Sequence, residues 1–275
     1  MIVKIKKFVV HLILHGINPT IQRVKKLFKH HFSYEKKILN NEFNRSHYVY
    51  CCFHAAKLAS KLGHKKMSVI EFGCAGGKGL LALEKICSDI STITGVEIEI
   101  YGFDSGNGLP EPEGYKDLPY HWRGGFFKMD QTSLTPKLLK SKIIIGNVKD
   151  TIKKFIKEYN PAVIGCVFHD LDYYSSTQAS FQLFEEDENY FLPRSFHYFD
   201  DIIGTEISLY SEWTGERLAV NQFNDKQNNK KFDNCNHLIT QSNTFVWYHQ
   251  IKILHMFKHK NYCDFVSEEN QQLPI

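Results

Sequence analysis

The sequence has no C-x-x-C pair. Its seven cysteines are an odd number with only the adjacent doublet Cys51-Cys52, which argues against a disulfide framework and for reduced, mostly buried thiols in a cytoplasmic protein. No apolar run is long enough to span a bilayer. The most apolar N-terminal stretch, FVVHLILHGI, is interrupted by His11 and His15 and is followed by no small-residue cleavage site, so it reads neither as a span nor as a signal peptide. Internal repeats are absent. A phosphate-binding P-loop is excluded as well, because Lys78 is followed by Gly79 and no glycine stands five residues before Gly77. What remains is a chain of 275 residues, rich in Phe (21) and Tyr (14), long enough for one large α/β domain.

The organising stretch is VIEFGCAGGKG, Val69 to Gly79. A short apolar run from Met67 to Phe72 ends in glycines and passes into the apolar-periodic LLALEKIC, which predicts a buried strand, a tight turn and a helix. The helix N-terminus offers unpaired N–H groups to an anionic ligand. A dinucleotide fingerprint would need G-x-G-x-x-G, but Ala75 takes the place of its second glycine. Glu71 at the strand end gives instead E-x-G-x-x-G-G. This turn, with Glu71, Gly73, Gly76 and Gly77, resembles the first motif of class I S-adenosylmethionine-dependent methyltransferases, a resemblance that implies a small aminocarboxylate held by backbone N–H groups with its ammonium near a carboxylate. The same glycines would also serve a plain strand–helix turn.

Further along, Glu97 to Phe103 predicts a second strand closing on Asp104, placed to accept hydrogen bonds from ribose hydroxyls or to cap a turn with Ser105. Its distance from the glycine turn implies an extended connection over Ser88 to Gly95. The segment SGNGLPEPEGYKDLPYHWRGGFFKMD is too long and too aromatic for a plain loop and reads as a lid, with Tyr115, Tyr120, His121, Trp122, Phe126 and Phe127 as candidate pocket walls. Lys142 to Ile145 is a short strand ending at Gly146-Asn147-Val148, and Thr151 to Tyr159 a helix. Pro161 opens a strand that runs into His169-Asp170-Leu171-Asp172, with a helix after Ser176. Ser195 to Phe199 is another strand, ending in Asp200-Asp201. Alternating strands and helices imply a doubly wound, Rossmann-like, mostly parallel sheet, whose ligands bind outside the strands' carboxyl ends. The acidic residues just named all lie there.

The ends of the chain carry different signals. Residues 1–37 hold nine Lys and Arg against Glu35, a net +8 within a whole-chain charge of +4. Two basic helices are expected there, over Ile5 to Ile13 and Ile21 to Phe32, as an N-terminal appendage (1–45) that packs on the domain or a second subunit, or adheres to an anionic membrane surface. Toward the other end, Glu212 to Asn224 reads as a helix with Glu216 and Asn221 able to face the pocket or solvent. Asp225 to Asn236 reads as a polar loop. His237 to Thr240, Thr244 to His249 and Ile251 to Phe257 offer material for an antiparallel C-terminal hairpin that completes the α/β domain (46–266) before a frayed tail (267–275).

FDSGNGLPEP, GNVKDTI, DLDYYSST and YFDDI, taken with the glycine turn, resemble in order and character the class I S-adenosylmethionine-dependent methyltransferases. Among these the chain is similar to the bacterial sugar O-methyltransferases that include the macrocin and mycinamicin enzymes, over roughly residues 67–204. The resemblance implies S-adenosylmethionine as cofactor, with Gly73, Gly76 and Asp104 at its aminoacyl and ribose parts and Asn147 or Val148 beside adenine. It further implies a divalent cation, Mg²⁺, held by Asp170 or Asp172 with Asp200 and Asp201, and a small-molecule or glycan hydroxyl as acceptor, with no nucleic-acid partner. Asn147 stands where that family commonly has aspartate, and Ser175 where it has glutamate. On physical grounds, converging carboxylates repel unless a cation neutralises them, and a hard ion suits carboxylates plus substrate hydroxyls. The cluster would equally serve as turn and cap residues. Asp170 and His169 are the candidate catalytic groups, although strand alternation points His169 to the opposite face. A cofactor-binding subunit without turnover and, less in keeping with the turn, a nicotinamide-dependent oxidoreductase are the competing functions.

Overall fold

A computed structural model describes residues 33–241 and 245–272. The chain divides into two units, Met1–Ser46 and His47–Ile275. The helices expected over 5–13 and 21–32 lie outside the described residues. In the first unit, α1 (Tyr34–Leu39) is capped by Ser33, whose side chain accepts the Lys36 N–H. Among the described residues, no helix is long and apolar enough to cross a membrane.

The second unit is built on a seven-stranded sheet of order β3-β2-β1-β4-β5-β7-β6. Its strands are β1 (Lys66–Phe72), β2 (Glu97–Asp104), β3 (Ser141–Ile145), β4 (Ile164–His169), β5 (Phe191–Phe199), β6 (Lys230–Asn234) and β7 (Ile251–Met256). β1 to β5 are mutually parallel, and β7 runs antiparallel between β5 and β6. The central strands KMSVIEF and IGCVFH are buried almost throughout, as a parallel sheet covered by helices on both faces requires. The helices are α2 (Ser46–Lys61), α3 (Lys78–Thr94), α4 (Val148–Tyr159), α5 (Tyr174–Ser180) and α6 (Gly215–Lys226). α4 turns Ile152, Phe155 and Ile156 inward, where they meet a core rich in phenylalanine that includes Phe72, Phe103, Phe181 and Phe199.

This is the doubly wound, mostly parallel architecture expected, with three local differences. The segment Ser88 to Gly95 is not an extended connection. α3 continues to Thr94 and stops at Gly95, whose φ of 71° supplies a left-handed cap. The added separation is helix, not loop. Of the antiparallel pair, β7 (Ile251–Met256) is the strand expected over Ile251 to Phe257, whereas its edge partner comes from different residues. Lys230–Asn234 forms β6 within a stretch whose polarity suggested a loop, since Phe232 alone anchors it at 4% exposure and edge strands tolerate Lys and Asn. Asn236–Ile239 and Trp247–Gln250 are single helical turns between β6 and β7, so the expected strand pieces there are absent.

Chain order reverses between β1 and β4, because the path runs outward through β2 and β3 before returning. Such a switch point opens a crevice at the strands' carboxyl ends. β1 and β4 stay paired up to it, where Phe72 O accepts the Asp170 N–H at 3.0 Å.

Candidate functional site

One cavity of about 650 Å³ opens at this crevice. Gly73, Ala75, Asp104, Ser105, Asn147 and Val148 line one part of it, and Asp170, Asp172, Asp200 and Asp201 another. Of the residues expected to bind a cofactor, Gly73, Asp104, Ser105, Asn147 and Val148 therefore share one cavity with the four expected to bind a cation.

Backbone conformation forms the first part. Gly73 has φ +81°, and a Cβ there would lie 1.7 Å from the Asp170 carbonyl oxygen; this close approach of β1 and β4 demands glycine. Gly77, at φ +75°, caps α3 beneath the Leu134 side chain. Gly76 has open space around it. Neither Gly76 nor Gly77 lines the cavity, so their part is to shape the turn. Glu71 differs from expectation. It is 1% exposed, accepts the Tyr48 hydroxyl at 2.7 Å and packs against Gly79 in the first turn of α3. Its carboxylate supports the helix start beneath the cavity wall.

Asp104 ties the two ligand-facing turns together. One carboxylate oxygen accepts the Ala75 N–H at 2.8 Å and the other the Gly106 N–H at 2.7 Å. Ser105 closes the next turn by donating to Gly108 O and accepting from Asn107 N–H. Asn147 caps α4, accepting the Lys149 N–H, and leaves Val148 as an apolar wall. Asp104→Ala is expected to free two buried-edge N–H groups, weaken S-adenosylhomocysteine binding by roughly 1.5–3 kcal/mol and lower the melting temperature; calorimetry and thermal denaturation check both.

The second part is electrostatic. Asp170, Asp200 and Asp201 each present a carboxylate oxygen, all within 4.8 Å of one another. Tyr198 donates to Asp200 Oδ1 at 2.6 Å and Tyr210 to Asp201 Oδ1 at 2.8 Å. Asp172, in a left-handed conformation (φ 60°), turns its backbone N–H onto Asp201 Oδ2 at 3.0 Å. Its carboxylate lies outside the three-oxygen group, so three of the four expected cation ligands converge and the fourth acts through its backbone. Burial first, and the neighbouring aspartates second, push Asp201 up to about 7 and Asp172 up to about 9. The same causes hold Asp170 well above the ordinary carboxylate range. Lys149 is the sole basic side chain in the cavity wall, and it is within 3.6 Å of Glu113. Oxygens across a bound Mg²⁺ stand about 4 Å apart, so this donor set fits a hard divalent cation after small side-chain adjustment.

These shifts fix the sign of a pH effect. The folded chain holds protons on Asp172 and Asp201 that the unfolded chain releases near pH 4. Without a cation this contribution is complete below about pH 4 and is lost as pH rises from there through about 7 for Asp201 and about 9 for Asp172. Buried histidines, such as His169, lowered to about 3 by burial, act oppositely but only below about pH 6.5. The melting temperature in EDTA is therefore expected to fall from pH 7 to 9, and Mg²⁺ to lessen that fall by relieving the repulsion. An identical pH profile with and without Mg²⁺ would contradict this.

His169 does not reach the site. It is wholly buried, stacked 4.3 Å from Phe199, with Nε2 3.2 Å from Nδ1 of His197. Alternation along β4 sends Asp170 and His169 to different surroundings, which removes His169 as a catalytic candidate. Of the lid aromatics, Trp122 and Phe127 line the cavity; Tyr115 and Tyr120 are 68% and 60% exposed. No sequence motif marks the lid's anchor, Asp117. It is 1% exposed and accepts from the backbone and hydroxyl of Ser175, both at 2.8 Å, and from Glu113 N–H. Glu216, read equally as solvated, is wholly buried with Oε2 accepting the Asp201 N–H.

No protein-family model and no curated protein sequence matches the chain. Solved structures do. The crystal structure of CalS11, calicheamicin methyltransferase, matches at 18% identity with a TM-score of 0.53, over 88% of this chain and 93% of that one. The O-methyltransferase NovP matches at 12% identity with a TM-score of 0.49, over 76% and 79% of the two chains. The first likeness, extending over nearly all of both chains, shows a shared fold. By its sheet order and the crevice at its switch point, the protein has the Rossmann-like methyltransferase fold.

Proposed function

We propose that the protein is an S-adenosylmethionine-dependent O-methyltransferase that acts on a sugar or glycan hydroxyl with the help of a divalent cation, Mg²⁺. The observation that carries this reading is the single cavity joining the glycine turn and Asp104 to the Asp170–Asp200–Asp201 group. CalS11 is a TDP-rhamnose 3'-O-methyltransferase; the reading of this chain rests on its own residues.

When bound, S-adenosylmethionine supplies a methyl group already activated for transfer, and the cation lowers the proton affinity of a ligated hydroxyl. The chain's own part is placement. The turn at Gly73 to Ala75 would receive the aminocarboxylate, Asp104 and Ser105 would border the ribose, and Asn147 with Val148 would border adenine. Asp200 and Asp201, fixed by Tyr198 and Tyr210, hold the cation on the acceptor side. No described residue donates a hydrogen bond to the Asp170 carboxylate, which is placed to ligate the cation and to take the hydroxyl proton. Trp122 and Phe127, carried by a lid that Asp117 fastens to α5, keep water from the reacting atoms.

The test is incubation with methyl-labelled S-adenosylmethionine and a panel of monosaccharides, sugar nucleotides and oligosaccharides, with Mg²⁺ or EDTA. Label entering a carbohydrate fraction only with Mg²⁺ is the expected result. Tight cofactor binding with no transfer to any hydroxyl would favour a cofactor-binding subunit without turnover.

A further inference from the structure

Glu216 is the second residue of α6 and is wholly buried. Its Oε2 accepts the Asp201 N–H at 3.0 Å, and its Oε1 has no hydrogen-bond partner. The Asp201 N–H belongs to the peptide unit that joins Asp200 to Asp201. One contact therefore orients the backbone from which two of the three clustered carboxylates hang. Asp201 departs from helical geometry within its short 3₁₀ turn (φ −98°, ψ 29°). On the other side of the same peptide, Gln250 Nε2 donates to Asp200 O at 2.7 Å. The single peptide between Asp200 and Asp201 is thus gripped through its N–H by Glu216 and through its carbonyl by Gln250, side chains from two different elements.

Burying a carboxyl group next to three others is unfavourable, and a helix start does not require it. The cost is understandable if the side chain sets ligand geometry, because groups that hold metal ligands control affinity nearly as strongly as the ligands. We infer that Glu216 is a positioning residue of the cation site, acting on the peptide between Asp200 and Asp201 through hydrogen-bond acceptance. The inference rests on the reading of the aspartates as a cation site. It adds a residue that the sequence motifs do not include and that touches neither cofactor nor acceptor.

The experiment measures Mn²⁺ binding to the full chain by the loss of the free-ion paramagnetic resonance signal, with S-adenosylhomocysteine affinity and melting temperature recorded in parallel. Glu216→Ala is expected to weaken Mn²⁺ binding by about 10–100-fold while leaving S-adenosylhomocysteine affinity within about twofold. Glu216→Asp, too short to keep the contact but less disruptive to packing, is expected to lie between, and serves if the alanine variant does not fold. Glu216→Gln retains an oxygen acceptor in place and is expected to restore binding to within about threefold. Unchanged Mn²⁺ affinity in the Ala and Asp variants, with only a lower melting temperature, would overturn the inference and leave the cation site standing. Equal losses in the Gln and Ala variants would also overturn it, since charge rather than position would then be the cause. Absence of Mn²⁺ binding by the unsubstituted chain would overturn both the inference and the reading beneath it.

Discussion

Replacing Asp200 with Asn is expected to lower methyl transfer by at least about two orders of magnitude and to leave S-adenosylhomocysteine binding largely intact. Asp200 belongs to the three-oxygen group, whereas the cofactor's expected contacts lie on the turns after β1, β2 and β3. Asn keeps an oxygen for the Tyr198 hydroxyl, which now donates to Asp200 Oδ1 at 2.6 Å, so the local hydrogen bond survives while a charged ligand is lost. Stability should hold or rise in the absence of cation, because Asp200 is among the charges that raise Asp170, Asp172 and Asp201 and its removal relieves their repulsion. EDTA should reproduce the loss of turnover in the unsubstituted protein. Full activity of Asp170→Asn and Asp200→Asn in EDTA would reduce the cluster to a structural feature.

Gly73→Ala and Gly76→Ala should behave as opposites although the two glycines stand three residues apart. At Gly73 a methyl group would meet the Asp170 carbonyl oxygen at 1.7 Å, in a backbone conformation of φ +81°. Both the strain and the clash press on the junction of β1 with β4, so a loss of about 3–4 kcal/mol is expected, lowering the melting temperature by roughly 6–15 °C and removing measurable cofactor binding. At Gly76 nothing lies within 4 Å of the added methyl, and its cost should stay within about 1 kcal/mol. Thermal denaturation of the two variants side by side decides the matter. Equal effects would mean that the turn is not held against β4 in this way.

Those two glycines show what could be read before the structure. The pattern E-x-G-x-x-G-G marked the turn, and apolar runs ending in acidic residues marked the strand ends, because both are local signals: a strand buried on both faces is continuously apolar, and a turn needs glycine. Which of the glycines lines the cavity and which shapes it depends on packing by residues far along the chain, Asp170 and Leu134. The same limit applies to carboxylates. Asp170, Asp200 and Asp201 were legible as strand-end acids, and Asp172 looked alike until its left-handed backbone turned its N–H inward. Glu71 has the expected position and a different direction, toward Tyr48 on α2. Asp117 was hidden, and Glu216 stood open between pocket and solvent, because acidic residues in a lid and in a first helical turn are ordinarily solvated, and only tertiary packing buries them. β6 was missed for a related reason: an edge strand anchored by one Phe232 has too little apolar periodicity to stand out.

The central claim, that the β1–β4 crevice is built for S-adenosylmethionine, is tested most directly by titration calorimetry of the full chain with S-adenosylhomocysteine and, separately, with NAD. Saturable, one-to-one binding of S-adenosylhomocysteine is expected, weakened by Asp104→Ala, with no heat from NAD, because Ala75 occupies the second glycine position and its N–H is already committed to Asp104. Saturable NAD binding with no response to S-adenosylhomocysteine would contradict the claim.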